Sequence, residues 1–237
     1  MNEMNFTAAR RHLVEQGWAV LRTGLCFADG GAVDHTKILS LARRFGAPSR
    51  RDAGREIWPV RPSRTDAAAT LSERAGAVDF HTDAAYRSRP EDLVCLFVVR
   101  PAADGGLTLL LDAATVDAEL RRHALGERVL AALGEPRWGW RVPEAFSGGP
   151  ADVSPRAAVM PGDGTVRWRG DNLVGLTPEQ RKVATWFGSL LKVVPGAVRL
   201  EHRPGDVIVI DNHRVMHGRT SFQDAARLLL RVRLWAS

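Results

Sequence analysis

The sequence predicts a mostly β protein with flanking helices, built on a double-stranded β-helix, or jelly-roll, core. Three observations predict it. Short apolar or alternating runs recur along the chain, many bounded by Gly, Pro or Asp turns. Helical patterns gather early and late, as suits helices that buttress sheets. The C-terminal run Arg227 to Leu234 alternates with a period of two. At 237 residues the chain can build one substantial core, so one domain over 1–237 is expected.

The elements follow in order. Ala8 to Gln16 reads as a helix with Leu13 and Val14 on its buried face, stopped by Gly17. Trp18 to Leu21 reads as a short strand. In Val33 to Phe45, residues Ile38, Leu41, Ala42 and Phe45 fall at helical spacing, and Gly46 follows as a stop. Arg50 to Ala69 is polar with two prolines, a loop with a short strand around Ile57. Leu93 to Val99 is an apolar run suited to a buried strand. Asp104-Gly105-Gly106 then makes a turn into a strand over Leu107 to Leu111, a hairpin signal. Val116 to Leu133 is helical in part. Gly134 to Gly164, rich in Gly and Pro, reads as irregular, a hairpin or a lid. Thr177 and Gln180 form a capping box with Pro178 in the first turn, starting a helix that runs to about Leu191. Pro204-Gly205-Asp206 is a turn. Val207 to Ile210 is a β-branched run, the mark of a strand buried on both faces. In the last strand Leu228, Leu230, Val232 and Leu234 share one face, and Arg227, Leu229, Arg231 and Arg233 share the other.

Composition narrows the function. Hydrophobic residues at 45% and charged residues at 25% suit a soluble globular protein, and no apolar run is long enough to cross a bilayer. The N-terminus lacks the pattern of a secretory signal, and two cysteines, Cys26 and Cys95, make no disulfide framework, so a cytoplasmic setting is expected. The net charge of +6 admits a basic nucleic-acid-binding module, but the arginines are scattered and form no basic tail. No nucleic-acid or membrane partner is expected. Internal arginines suit a site for anionic small molecules instead.

The chemistry lies in two distant fragments, Phe80-His81-Thr82-Asp83 and Met216-His217-Gly218-Arg219. On a strand, His81 and Asp83 point the same way while Thr82 points away. With His217 they supply two imidazoles and one carboxylate, a facial triad that holds Fe(II) and leaves positions open. A zinc hydrolase could use the same three ligands with a metal-bound water, but it leaves Thr108 and Arg227 without a role. Those two could hold a carboxylate together, the arginine bidentately. Arg231, on the same face, could hold a second anion, while Arg233 near the terminus reads as solvated. His213 reads as a turn residue, and the tryptophans as packing.

Taken together, Phe80 to Tyr86, Gly105-Gly106-Leu107-Thr108, Gly205-Asp206, Asp211-Asn212, His217 to Phe222, Arg227 and Arg231 resemble the Fe(II)/2-oxoglutarate-dependent oxygenases of the taurine dioxygenase and clavaminate synthase group. The resemblance runs from about Gly17 to the C-terminus. It implies that His81, Asp83 and His217 bind Fe(II), and that Arg227 and Thr108 hold the distal carboxylate of 2-oxoglutarate. It further implies that Arg231 contacts the substrate and that Glu56, ahead of Trp58-Pro59, meets a substrate amine. The implied chemistry uses dioxygen, decarboxylates 2-oxoglutarate to succinate and hydroxylates an unactivated carbon. Related halogenases replace the carboxylate ligand with a small residue; Asp83 keeps it, which favours hydroxylation. Desaturation and cyclisation share this machinery. The expected substrate is a small carboxylate, a free amino acid or derivative in specialised metabolism, with a carrier-tethered or peptide substrate as the alternative.

Overall fold

The structure is a computed structural model that describes residues 3–29, 32–63, 70–146 and 154–236. The first strands are β1 (Trp18–Arg22), β2 (Ala28–Asp29), β3 (Ala32–Val33), β4 (Gly46–Pro48), β5 (Trp58–Val60), β6 (Val78–His81) and β7 (Leu93–Arg100). They are followed by β8 (Thr108–Asp112), β9 (Gly139–Trp140), β10 (Leu173–Val174), β11 (Val198–Leu200), β12 (Asp206–Asp211), β13 (Val215–Arg219) and β14 (Leu228–Ala236). The helices are α1 (Glu3–Gln16), α2 (His35–Ala42), α3 (Ala113–Leu120), α4 (Gly126–Gly134) and α5 (Pro178–Leu191).

Two antiparallel sheets face each other. The larger runs β1-β12-β7-β14-β4, with β5 also paired to β14; the smaller runs β11-β8-β13-β6. Val94, Leu96, Val98, Ile208, Ile210 and Leu229 of the larger sheet meet Leu110 and Val215 of the smaller one. Alternate residues of the larger sheet, including Cys95, Phe97, Val207, Val209, Leu230 and Val232, face outward onto α1 and α2. The outer side of the smaller sheet packs through Leu111 and Met216 against α3, α4 and α5. This is the expected jelly roll, and β12 is buried on both faces as its β-branched run requires.

Some details differ from expectation. β7 and β8 do not form a hairpin. β7 already has β12 on one side and β14 on the other, so β8 has no edge of β7 to join and pairs with β13 in the other sheet. Asp104-Gly105-Gly106 therefore carries the chain between sheets, pressed against the segment after β13. A Cβ on Gly105, at φ 136°, would lie 2.2 Å from the Ser221 carbonyl oxygen. Helix α1 buries Phe6 and Ala9, with Leu13 packed beside them, while Val14 is 75% exposed. The helical stretch after residue 112 is two helices, α3 and α4. The capping box at Thr177 forms as read.

In the expected loop 50–69, β5 begins one residue after Ile57, and residues 64–69 lie outside the described residues. The expected irregular stretch 134–164 contains β9, paired with β10, with Trp138 and Trp140 fully buried. Residues 147–153 of that stretch lie outside the described residues. Among the described residues, no helix is long and apolar enough to cross a membrane.

Candidate metal and co-substrate site

β13 lies between β8 and β6, and its pairing with β6 sets His217 directly opposite His81. The chain leaves β6 at His81 and turns at Asp83. Thr82 points the other way, where its N–H donates to the Trp168 carbonyl (2.7 Å) and its hydroxyl accepts the Trp168 N–H (3.0 Å). Asn212 holds the turn: its side-chain oxygen accepts the Asp83 N–H (2.8 Å), and its amide donates to the carbonyls of Asp83 (3.0 Å) and Glu91 (2.9 Å). The ligand atoms of His81, Asp83 and His217 consequently converge within 4.8 Å of one another, all three residues buried.

Their chemistry suits a metal ion. His81 Nδ1 lies 3.0 Å from the Asp79 carbonyl, to which it donates its proton, leaving Nε2 bare toward Asp83 at 3.7 Å. His217 Nε2 is 3.8 Å from the same carboxylate oxygen. Burial lowers the pKa of both imidazoles, that of His217 to about 3, so both present neutral nitrogens. Burial alone would raise the pKa of Asp83, but Arg231 and the two imidazoles outweigh it and hold the carboxyl at about 2. Two neutral imidazoles and a carboxylate form the donor set of the facial triad.

Beside the triad, a cavity between the sheets is lined by Val60, Leu96 and Leu229 and by Thr108 and Arg227. Arg227 is 2% exposed. Its Nη2 donates to the Gly106 carbonyl (3.1 Å), while Nε and Nη1 have no hydrogen-bond partner among the described residues. Burial, followed by the charge of Arg219, lowers its pKa to about 9. A buried guanidinium with two free nitrogens is costly without an anion, so this pocket suits a carboxylate. Gly106 makes room for it: a Cβ there would sit 2.8 Å from Arg227 Nε. Thr108 Oγ1 lies 2.9 Å from His202 Nε2, which also accepts the Thr108 N–H (3.2 Å). Burial, then Arg227, lowers the His202 pKa to about 4.

Two expectations need correction, those for Arg233 and Glu56, and the one for Arg231 gains partners the sequence did not show. Arg231 lines the cavity but is already engaged: Nη1 is 3.0 Å from Asp83 Oδ2, and Nη2 donates to Asp52 Oδ2 (3.0 Å). It braces the metal carboxylate through these two nitrogens, while its buried Nε has no hydrogen-bond partner among the described residues. Arg233 is not solvated. It is 3% exposed and pairs with Asp52 and Glu91, because β14 runs through the sheet to its last residues. Glu56 does not reach the cavity. It turns to the outer side of the larger sheet, where Arg43 (3.8 Å) and Arg50 (3.7 Å) pair with it. His213 is a turn residue as read, with Nε2 3.1 Å from Asp92.

Sequence reasoning missed Asp52, Glu91, Arg169 and His202. Asp52, Glu91 and Arg169 come from loops whose spacing to the triad carries no period, and His202 looked like any other residue beside the Pro204-Gly205-Asp206 turn. Asn212 could be read only as part of a turn.

Comparison with known proteins gives the family. The family described as taurine catabolism dioxygenase TauD, TfdA family matches residues 2–233, and the chain belongs to that family. It is an iron- and 2-oxoglutarate-dependent dioxygenase by that membership. Among solved structures, asparagine oxygenase in complex with Fe(II), 2S,3S-3-hydroxyasparagine and succinate is similar at 20% identity and TM-score 0.73, over 98% of this chain and 78% of that one. The non-heme iron oxygenase OrfP with Fe and alpha-ketoglutaric acid is similar at 20% identity and TM-score 0.70, over 100% and 81%. OrfP with Fe, succinate and (3S)-hydroxy-L-Arg gives 19% identity and TM-score 0.67, over 99% and 80%. At these identities the likeness shows a shared fold.

Proposed function

We propose that this chain hydroxylates an unactivated C–H bond of a free amino acid or close derivative, with His81, Asp83 and His217 holding Fe(II) and Arg227 with Thr108 holding the distal carboxylate of 2-oxoglutarate. The observation that carries it is the meeting, in one cavity, of the buried triad with a buried guanidinium that has two free nitrogens. The hydroxylated amino acids bound in the similar structures support the substrate class. The chain acts as one catalytic domain over 1–237. Its working compartment is the cytoplasm, in keeping with two unpaired cysteines. Its partner is a small molecule and not a nucleic acid, in keeping with the inward placement of Arg169, Arg219, Arg227 and Arg233.

Bound iron, 2-oxoglutarate and dioxygen supply the oxidising chemistry, yielding succinate, carbon dioxide and a hydroxylated carbon. The chain's residues position and shield it. The Asp79 carbonyl fixes the His81 tautomer so that Nε2 faces the metal position. Arg231 holds one oxygen of Asp83, leaving the other toward the imidazoles. Val60, Leu96 and Leu229 keep the co-substrate end of the cavity apolar, which strengthens the Arg227 contact and excludes water. The test is an anaerobic titration with Fe(II) and 2-oxoglutarate followed by visible absorption, then a succinate-release screen against amino acids under air. A charge-transfer band followed by amino-acid-dependent succinate is expected; purified protein that shows neither with iron supplied refutes the reading.

A further inference from the structure

The cavity beside the triad is small, about 80 Å³, and the co-substrate expected there takes up much of it. A second cavity of about 860 Å³ adjoins it, sharing Leu71, Val78, His81 and Arg219 as a common wall. At the junction stand two side chains with no role so far. Arg169 lines the first cavity and Asp171 the second. They form a parallel pair, Arg169 Nε to Asp171 Oδ1 at 3.0 Å and Nη2 to Oδ2 at 3.2 Å. The arginine is buried at 8% exposure, whereas the side chain of Asp171 is 47% exposed. The pair is anchored to the metal site, because the neighbouring Trp168 is hydrogen-bonded to Thr82, the residue between the ligands His81 and Asp83.

We propose that Arg169 and Asp171 recognise the two charged ends of a free amino acid: Arg169 binds its carboxylate and Asp171 its ammonium, with the substrate arriving through the second cavity. The inference rests on the hydroxylase reading above and names the recognition residues for it. The exchange of charges favours a zwitterion. A plain carboxylate must displace Asp171 from Arg169 and leaves the aspartate without its cation. A plain amine draws Asp171 away and leaves a buried guanidinium unpaired, which is strongly unfavourable. A zwitterion replaces one ion pair by two, and every charge keeps a partner. Asp171 can make this exchange because it is half exposed, while the buried Arg169 stays in place.

The other charged side chains near the junction are spent in whole or in part on other partners. Arg231 is held by Asp83 and Asp52 through Nη1 and Nη2, with Nε alone open. Arg219 donates to the carbonyls of Gly76 (3.0 Å) and Arg74 (2.8 Å). The Lys192–Asp79 pair (3.3 Å) on the rim of the second cavity is exposed on both sides and binds weakly.

The experiment uses the anaerobic Fe(II)–2-oxoglutarate complex, reading substrate binding as a change in its visible band. Each free amino acid is compared with its N-acetyl derivative, its carboxamide and its deaminated acid. A free amino acid should bind, and blocking either end should weaken binding about tenfold or more. In Asp171→Asn, affinity for the free amino acid should fall about tenfold or more, while affinity for the deaminated acid should rise, because no carboxylate then competes with it for Arg169. The introduced amide keeps an oxygen for Arg169, and a ligand-free melting curve close to the parent's checks that the variant keeps the fold. Equal losses for both ligands in Asp171→Asn overturn the assignment, as does equal binding of blocked and free amino acids. If the band forms but no amino acid alters it, the recognition pair fails and the oxygenase reading stands. If no band forms, both fail.

Discussion

Replacing Arg227 with methionine separates a ligand-binding role from a structural one, because the two predict opposite results in the same melting experiment. In the free protein, Arg227 makes one hydrogen bond to Gly106 and has no carboxylate partner among the described residues. Losing that bond costs about 1–3 kcal/mol, and removing a buried guanidinium with two unsatisfied nitrogens offsets it. The free variant should therefore melt within a few degrees of the parent. With 2-oxoglutarate the outcome differs. Truncating one partner of a buried, charge-assisted pair costs about 2–5 kcal/mol; taking about 3 kcal/mol raises the co-substrate Kd roughly 150-fold. At a ligand concentration of about 100 parent Kd values, the parent gains about 2.7 kcal/mol, or about 5–10 °C for a chain of this length. The variant gains only about 0.3 kcal/mol, a shift under about 1 °C. Differential scanning calorimetry, anaerobic and at constant Fe(II), reads both quantities. A variant that keeps the full shift with 2-oxoglutarate refutes the role of Arg227.

Other consequences can be tested in the same way. Gly106→Ala sets a Cβ 2.8 Å from Arg227 Nε at a φ of +65°, so 2-oxoglutarate affinity measured by titration should fall while Fe(II) affinity holds; an unchanged co-substrate Kd counts against the packing argument. Asp52→Ala removes the shared carboxylate of Arg231 and Arg233; breaking such buried pairs costs about 3–5 kcal/mol, a drop of about 6–20 °C in Tm, with weaker Fe(II) binding because Arg231 no longer braces Asp83 correctly. Equilibrium dialysis against Fe(II) checks the second part. The pH profile of the metal-free protein follows from the buried histidines. His202 is held at about 4 and His217 at about 3, below the ordinary histidine value of 6.5. The unfolded chain then binds more protons than the native one, so stability is complete above about pH 6.5 and declines as pH falls toward 4 and 3. His202→Gln should flatten the Tm profile between about pH 6.5 and 4; a profile identical to the parent's removes His202 as a cause.

Much of the site was legible in the residues because it is written at strand spacing. His81 and Asp83 flank an inverted Thr82, and Arg227 and Arg231 share a strand face, so period-two reasoning reached all of them. The sandwich was equally legible, since the β-branched run of β12 and the alternation of β14 each admit one placement. The hairpin expected at Gly105-Gly106 failed for a reason no local pattern holds: both edges of β7 are taken by strands more than a hundred residues later in the chain.

The sequence by itself determined the types of the candidate ligands, the strand faces that carry them, and that Thr108 and Arg227 could together hold a carboxylate. Tertiary structure decided which charges are spent on one another. Asp52, Glu91 and Arg169 belong to loops, and a loop side chain finds its partner through the packing of distant elements and not through spacing along the chain. That is why Arg231 proved to be a brace for Asp83, why Glu56 turned outward to Arg43 and Arg50, and why the exchangeable pair at the cavity junction came into view only in three dimensions.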